Sequence, residues 1–339
     1  MDLTGSCPAI DAHVHFHPDV SELVARVMDE NNLEGVVNLG ALERLGIPFA
    51  EGLRTMRAAL GERVVVFATP DFSDVAPGFG QRMADDLDRK VGQGAGGLKI
   101  FKELGLRYSD AEGRLIAIDD PRLDPLWAKA GLLGIPVLIH TADPVAFFQP
   151  LTPDNERWDE LYLHPDWHFG RPEFPGHDSL LDQRNRVIEA HPEVMFIGAH
   201  LGNYPENLGY VDQCLGRYPN FYVDLSARIG EIGRHPVAET RAFFLKHQDR
   251  ILFGTDWVLG WGNFVPGDDA FVDGLPAFRT RYAAYRRFLE TDERQIEHPG
   301  YPVQGRWKVD AIGLTDEVLS KIYRGNARRL IPTLGHAGV

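Results

Sequence analysis

Runs of apolar, mostly β-branched residues recur along the chain, each closing on polar or turn residues. In order they are PAIDAHVHF from Pro8, EGVVNLG from Glu34, RVVVFATP from Arg63, GGLKIFK from Gly96, IPVLIHTADP from Ile135, VMFIGAHLGN from Val194, NFYVDLSAR from Asn220 and RILFGTDW from Arg250. Apolar runs without strict alternation predict strands covered on both faces, as in a parallel sheet. Segments of helical period lie between most of them. In PDVSELVARVMDENN, the residues Val20, Leu23, Val24, Val27 and Met28 share one face, and Asp19 with Glu22 is spaced like a capping box. Similar stripes fall around 49–60, 121–133, 205–217 and 236–247. A last one begins at a Thr315 cap and carries Val318, Leu319, Ile322 and Tyr323. Eight strands alternating with helices predict an α/β chain, a (β/α)8 TIM barrel, with residues 1–339 as a single domain. A doubly wound open sheet is the alternative and needs fewer strands.

Two connections exceed the usual βα loop of about 2–6 residues. One follows strand 5, about 141–178, and the other follows strand 8, about 257–276. Both leave the C-terminal ends of strands, where barrel active sites sit. Their aromatic content, including Trp158, Trp167, Trp257 and Trp261, predicts ordered lids rather than disordered insertions.

Composition narrows the partners. A net charge of −14 argues against nucleic acid and anionic membranes as partners. Two cysteines, Cys7 and Cys214, provide neither a disulfide framework nor a cysteine metal site and fit a reducing compartment. No basic region followed by an apolar stretch opens the chain, and no segment approaches about 18 consecutive apolar residues. A cytoplasmic, soluble protein is expected. GQGAGG at 92–97 matches a dinucleotide fingerprint in letters, but it follows a helix and precedes a strand, the reverse of what that motif requires.

The chemistry-bearing residues gather at strand ends. Residues two apart on a strand face the same side, so His13 and His15 point together, with Asp11 one step deeper on that face. Paired imidazoles suit a borderline metal such as Zn²⁺, with Mn²⁺ as the alternative. Alone, the pair reads equally well as core or loop histidines. His140, His200 and Asp256 end the fifth, sixth and eighth runs, and barrel strand ends converge on one mouth. That company favours a metal centre.

These motifs resemble the amidohydrolase superfamily, and GLKIFK, PVLIHT, FIGAHLG, ILFGTD and IYRGNARRL are similar to its amidohydrolase-2 branch. The resemblance spans about residues 9–331 and implies a metal-dependent enzyme, often dimeric, that is a hydrolase or a nonoxidative decarboxylase. Resemblance and converging geometry together make His13, His15, His140 and Asp256 the metal ligands. Asp256 doubles as general base, and His200 acts as acid, base or polariser beside the metal. Lys99, on the fourth strand, is either a carboxylated bridge between two metals or an ordinary ammonium; one metal per chain is the expectation. Arg228 suits a substrate carboxylate, with Trp167 and His168 as further substrate contacts from the first long loop. The leading expectation is hydrolysis of an amide, lactone or ester. The alternative is decarboxylation of an aromatic or unsaturated acid.

Overall fold

Each of the apolar runs becomes a parallel strand in the computed structural model, which describes residues 7–260 and 275–334. The strands are β1 Ala9–Phe16, β2 Leu33–Asn38, β3 Val64–Val66, β4 Leu98–Ile100, β5 Val137–Ile139, β6 Phe196–Gly198, β7 Phe221–Asp224, β8 Ile251–Leu252 and β9 Trp257–Leu259. They pair in two sheets, in the orders β3-β2-β1-β9 and β4-β5-β6-β7-β8. Backbone hydrogen bonds join the sheets at both seams. Ala68 N to Gly97 O (2.9 Å) and Lys99 N to Ala68 O (2.8 Å) link β3 to β4. Ala12 N to Phe253 O (2.9 Å) and Asp256 N to His13 O (2.8 Å) link the β8 segment to β1. The ring is therefore closed, and the barrel replaces the open-sheet alternative.

Packing follows from alternation along each strand. Ile10, Ala12, Val37, Val65, Leu138 and Ile197 fill one apolar cluster inside the ring. Residues of opposite parity, such as Val36, Val64, Val137 and Phe196, pack outward against the helices. Ala327, Leu330 and Leu334 join the inner cluster from the C-terminal segment. The helix Ser21–Glu30 buries Val24, Val27 and Met28 as its period requires, but it has no side-chain cap. A short turn, Pro18–Val20, precedes it, and there His17 accepts from Asp19 N, so the capping-box reading of Asp19 and Glu22 fails.

The first long loop is ordered as expected, with the short helix Trp158–Leu163 and the turn Pro165–Trp167. Much of the second, 261–274 with Trp261, lies outside the described residues. Among the described residues no helix is long and apolar enough to cross a membrane.

Candidate metal centre

Two local departures from regular strand geometry build the site. β1 pairs Asp11 with Val36 but Val14 with Asn38, so a bulge inserts one extra residue in β1. Before the bulge, Ile10 and Ala12 face inward; after it, His13 and His15 do. Asp11 consequently points out of the barrel, correcting its expected place beneath the histidines. Its carboxylate accepts from Thr255 Oγ1 (2.6 Å), Tyr282 OH (2.7 Å) and His13 N (3.1 Å), bracing the site from behind. Burial pushes its carboxyl up to about 6 against those hydrogen bonds.

The second departure is at Asp256, whose φ of 59° breaks the eighth strand into β8 and β9. Aspartate tolerates this left-handed conformation better than bulky residues do. The kink turns the carboxylate toward the histidines. Gly254 permits the close approach, because a Cβ there would meet His13 Cβ at 3.1 Å. His200 is also left-handed, at φ 57°, in a tight turn after β6. Asn203 ends that turn, accepting from Thr141 N (3.0 Å) and donating to Ala142 O (2.7 Å), which ties it to the residues after His140.

Asp256 Oδ1 lies 3.4 Å from His13 Nε2 and 3.2 Å from His15 Nε2, and Oδ2 lies 3.8 Å from His200 Nε2. Tetrahedral ligands with bonds of about 2.0–2.1 Å stand about 3.4 Å apart, and the distances from Asp256 to His13 and to His15 each match that spacing. His13, His200 and Asp256 offer ligand atoms within 4.8 Å of one another. His200 Nε2 thus stands within ligand range of the same group. His140 packs edge-on against His200 with ring centroids 4.4 Å apart, and its buried Nε2 makes no close hydrogen bond, Asp143 Oδ1 standing 3.4 Å away.

Protonation suits a metal as well. Nδ1 of His200 faces the Ser226 carbonyl at 2.8 Å, and an oxygen that only accepts requires the proton on Nδ1. Nε2 is then a bare lone pair, which fits a ligand or base and not an acid. Nδ1 of His13 likewise donates to Asp224 Oδ2 at 2.8 Å, freeing Nε2. Burial pushes His15 and His140 down to about 4 and His200 well below its ordinary value, keeping all three neutral. Burial opposes ionisation of Asp256, and positive charge on His13, His15 and His200 draws its carboxyl well below the usual range; with those rings neutral, a cation held among them would do the same.

Asp224 and Ser226 escaped the sequence reading. Asp224 ends β7 and takes the His13 proton, His200 N (2.9 Å) and Ser226 Oγ (2.5 Å), so one carboxylate orients two of the histidines. Its place at a strand end in the VDLS run was the available signal. Lys99 Nζ is fully buried with no hydrogen-bond partner, and burial pushes it down to about 8.

Above this group lies a cavity of about 470 Å³ that exposes His15, His140, His200 and Asp256. Phe101, Phe147, Trp167 and Tyr301 form aromatic walls, and Arg228 and Lys102 add positive charge. Arg228 is buried at the cavity rather than loose on a surface loop. Trp167 lines the cavity with His164 stacked on it at 3.9 Å. His168 does not line it, because its Nε2 is turned away to donate to Gln149 O at 2.8 Å. The 299–304 segment, which carries no sequence signal of a site, supplies part of the wall through Pro299, Tyr301 and Gln304.

A family model described as Amidohydrolase matches residues 10–333, so the chain belongs to the amidohydrolase-2 family. Members of this family usually bind a divalent metal. No curated protein matches the sequence. Solved structures share the fold at low identity. They include 2,6-dihydroxybenzoate decarboxylase from Rhizobium, with 18% identity, TM-score 0.55, and 96% of this chain and 98% of that chain covered. A protein from Staphylococcus aureus described as an amidohydrolase has 15% identity and TM-score 0.55, covering 96% and 99%. The 5-carboxyvanillate decarboxylase LigW from Sphingomonas paucimobilis has 14% identity and TM-score 0.52, with the same coverage.

Proposed function

We propose that the protein is a cytoplasmic metal-dependent hydrolase acting on an amide, lactone or ester of a small organic molecule. His13, His15, His140 and Asp256 hold a single divalent ion, Zn²⁺ before Mn²⁺, and His200 stands against it. The observation that carries this reading is the double placement of Asp256. Its Oδ1 sits between His13 and His15, while its side chain stays 24% exposed toward the cavity. When bound, the ion acts as a Lewis acid on a carbonyl and acidifies a water. Asp256, ionised at neutral pH, takes the proton from the attacking water and passes it to the leaving group. His200 Nε2 offers a second lone pair for that transfer. Asp224 keeps His13 in the tautomer that faces the site. Arg228 orients an acidic substrate from the wall.

Decarboxylation is a second reading, supported by the aromatic walls Phe101, Phe147, Trp167 and Tyr301, which suit a flat acid. It also fits the fold shared with two decarboxylases. One experiment separates the readings. Metal-loaded protein is incubated with a panel of lactones, esters and amides, and separately with aromatic acids including 2,6-dihydroxybenzoate. Formation of the hydrolysed acid without CO₂ supports the hydrolase; CO₂ release with no hydrolysis overturns it in favour of the decarboxylase.

A further inference from the structure

The loop after β5 sets Asp143 into the cavity wall, 4% exposed. Lys102 Nζ lies 2.5 Å from its Oδ2, while Arg228 Nη2 lies 4.0 Å and His140 Nε2 3.4 Å from its Oδ1. One carboxylate therefore serves two permanent cations. Glu103 and Glu160, also on this wall, are engaged elsewhere, by Arg44 at 3.3 Å and Arg157 at 2.7 Å. The Lys102–Asp143–Arg228 group keeps one positive charge in excess. Lys102 cannot readily swing away, since its Nζ lies 5.1 Å from the Trp167 ring and 5.6 Å from that of Phe169. Such stacking favours a cation held in place. Arg228, which lines the cavity, is anchored by Nη1 to Ala227 O at 2.8 Å.

We infer that Lys102 and Arg228, spaced by Asp143, form a seat for a substrate carboxylate distinct from the bond being transformed. The inference rests on the reading that this cavity holds the substrate. The substrate class is then a small organic acid that carries its reactive group and a separate carboxylate. Lys102 and Asp143 take on roles the sequence did not suggest, Lys102 as a binding residue and Asp143 as a positioning residue.

Benzoate and its neutral isostere benzamide are the probes, titrated calorimetrically into the full chain, both metal-loaded and chelator-treated. Benzoate is expected to bind at least about 10-fold tighter than benzamide. Lys102→Met should weaken benzoate by about 10- to 100-fold, as loss of a charged hydrogen bond does, and leave benzamide unchanged. Lys102→Arg keeps the charge and should restore benzoate binding, which separates lost recognition from misfolding. The dependence on Lys102 should persist without metal. Benzoate binding that requires the ion but ignores Lys102 overturns the seat and leaves the metal reading standing. Binding that depends on Lys102 in a chain unable to take up any ion supports the seat and overturns the metal reading. Equal binding of the two probes, or no benzoate binding at all, overturns the seat.

Discussion

Replacing Asp224 with asparagine isolates the orientation of the histidines from their presence. Oδ1 of Asp224 accepts three donors, His200 N at 2.9 Å, Ser226 N at 3.0 Å and Ser226 Oγ at 2.5 Å. An asparagine must keep its carbonyl oxygen there, so its NH₂ takes the Oδ2 position facing His13 Nδ1. Two donors then oppose each other. His13 escapes by moving its proton to Nε2, which removes the lone pair aimed at Asp256. Substitution of a residue that orients a metal ligand costs about 10- to 100-fold in metal affinity, or about 1.4–2.8 kcal/mol. The shape is unchanged, so the metal-free melting temperature should move little. Competition with a chromophoric chelator measures the affinity, and Asp224→Leu provides a near-isosteric variant that cannot donate from the same position. Wild-type affinity in Asp224→Asn would refute the tautomer assignment.

Three further outcomes are expected. Replacing His13 and His15 together with alanine should abolish bound metal and turnover while far-UV circular dichroism keeps the α/β signature; a metal-replete, inactive double variant would mean the ligands are misassigned. Asp256→Asn should lower kcat by about 10²- to 10⁴-fold, the usual range for lost acid–base catalysis, with KM changed far less, as steady-state kinetics on the substrate found by the panel will read. His298 is buried beside Arg157, and burial pushes it down to about 4 from 6.5. Because its folded value is the lower one, its contribution is complete above about pH 6.5 and fades as pH falls toward 4, by at most about 3 kcal/mol. Denaturant melts of His298→Gln should therefore lose stability less steeply over that interval than wild type, and parallel curves would contradict it.

The strand runs were legible because a parallel barrel buries both faces, which leaves a continuous apolar signature. His140, His200 and Asp256 were legible because strand ends in such a barrel share one mouth. The bulge in β1 was not: strict alternation put Asp11 with the histidines, while one extra residue turned it outward to Thr255 and Tyr282. Asp256 was located, but its left-handed backbone and the strand break depend on contacts with β1 that the local sequence does not carry. Asp224 and Ser226 went unnoticed because their partners lie about two hundred residues away or in the backbone of another turn. His168 failed for the opposite reason, since a polar residue in a lid can satisfy itself against that lid, as it does on Gln149. The wall built by 299–304 had no periodic signal and emerges only from how the chain returns over the mouth.

The most direct measurement is the metal content of the purified, reconstituted full chain by inductively coupled plasma mass spectrometry, taken alongside activity before and after chelation. About one divalent ion per chain, removed by chelator together with turnover and restored with it, is the expected result. Two ions per chain would place Lys99 in a bridging role. Full activity in protein free of any divalent ion would contradict the assignment of His13, His15, His140 and Asp256 to a metal centre.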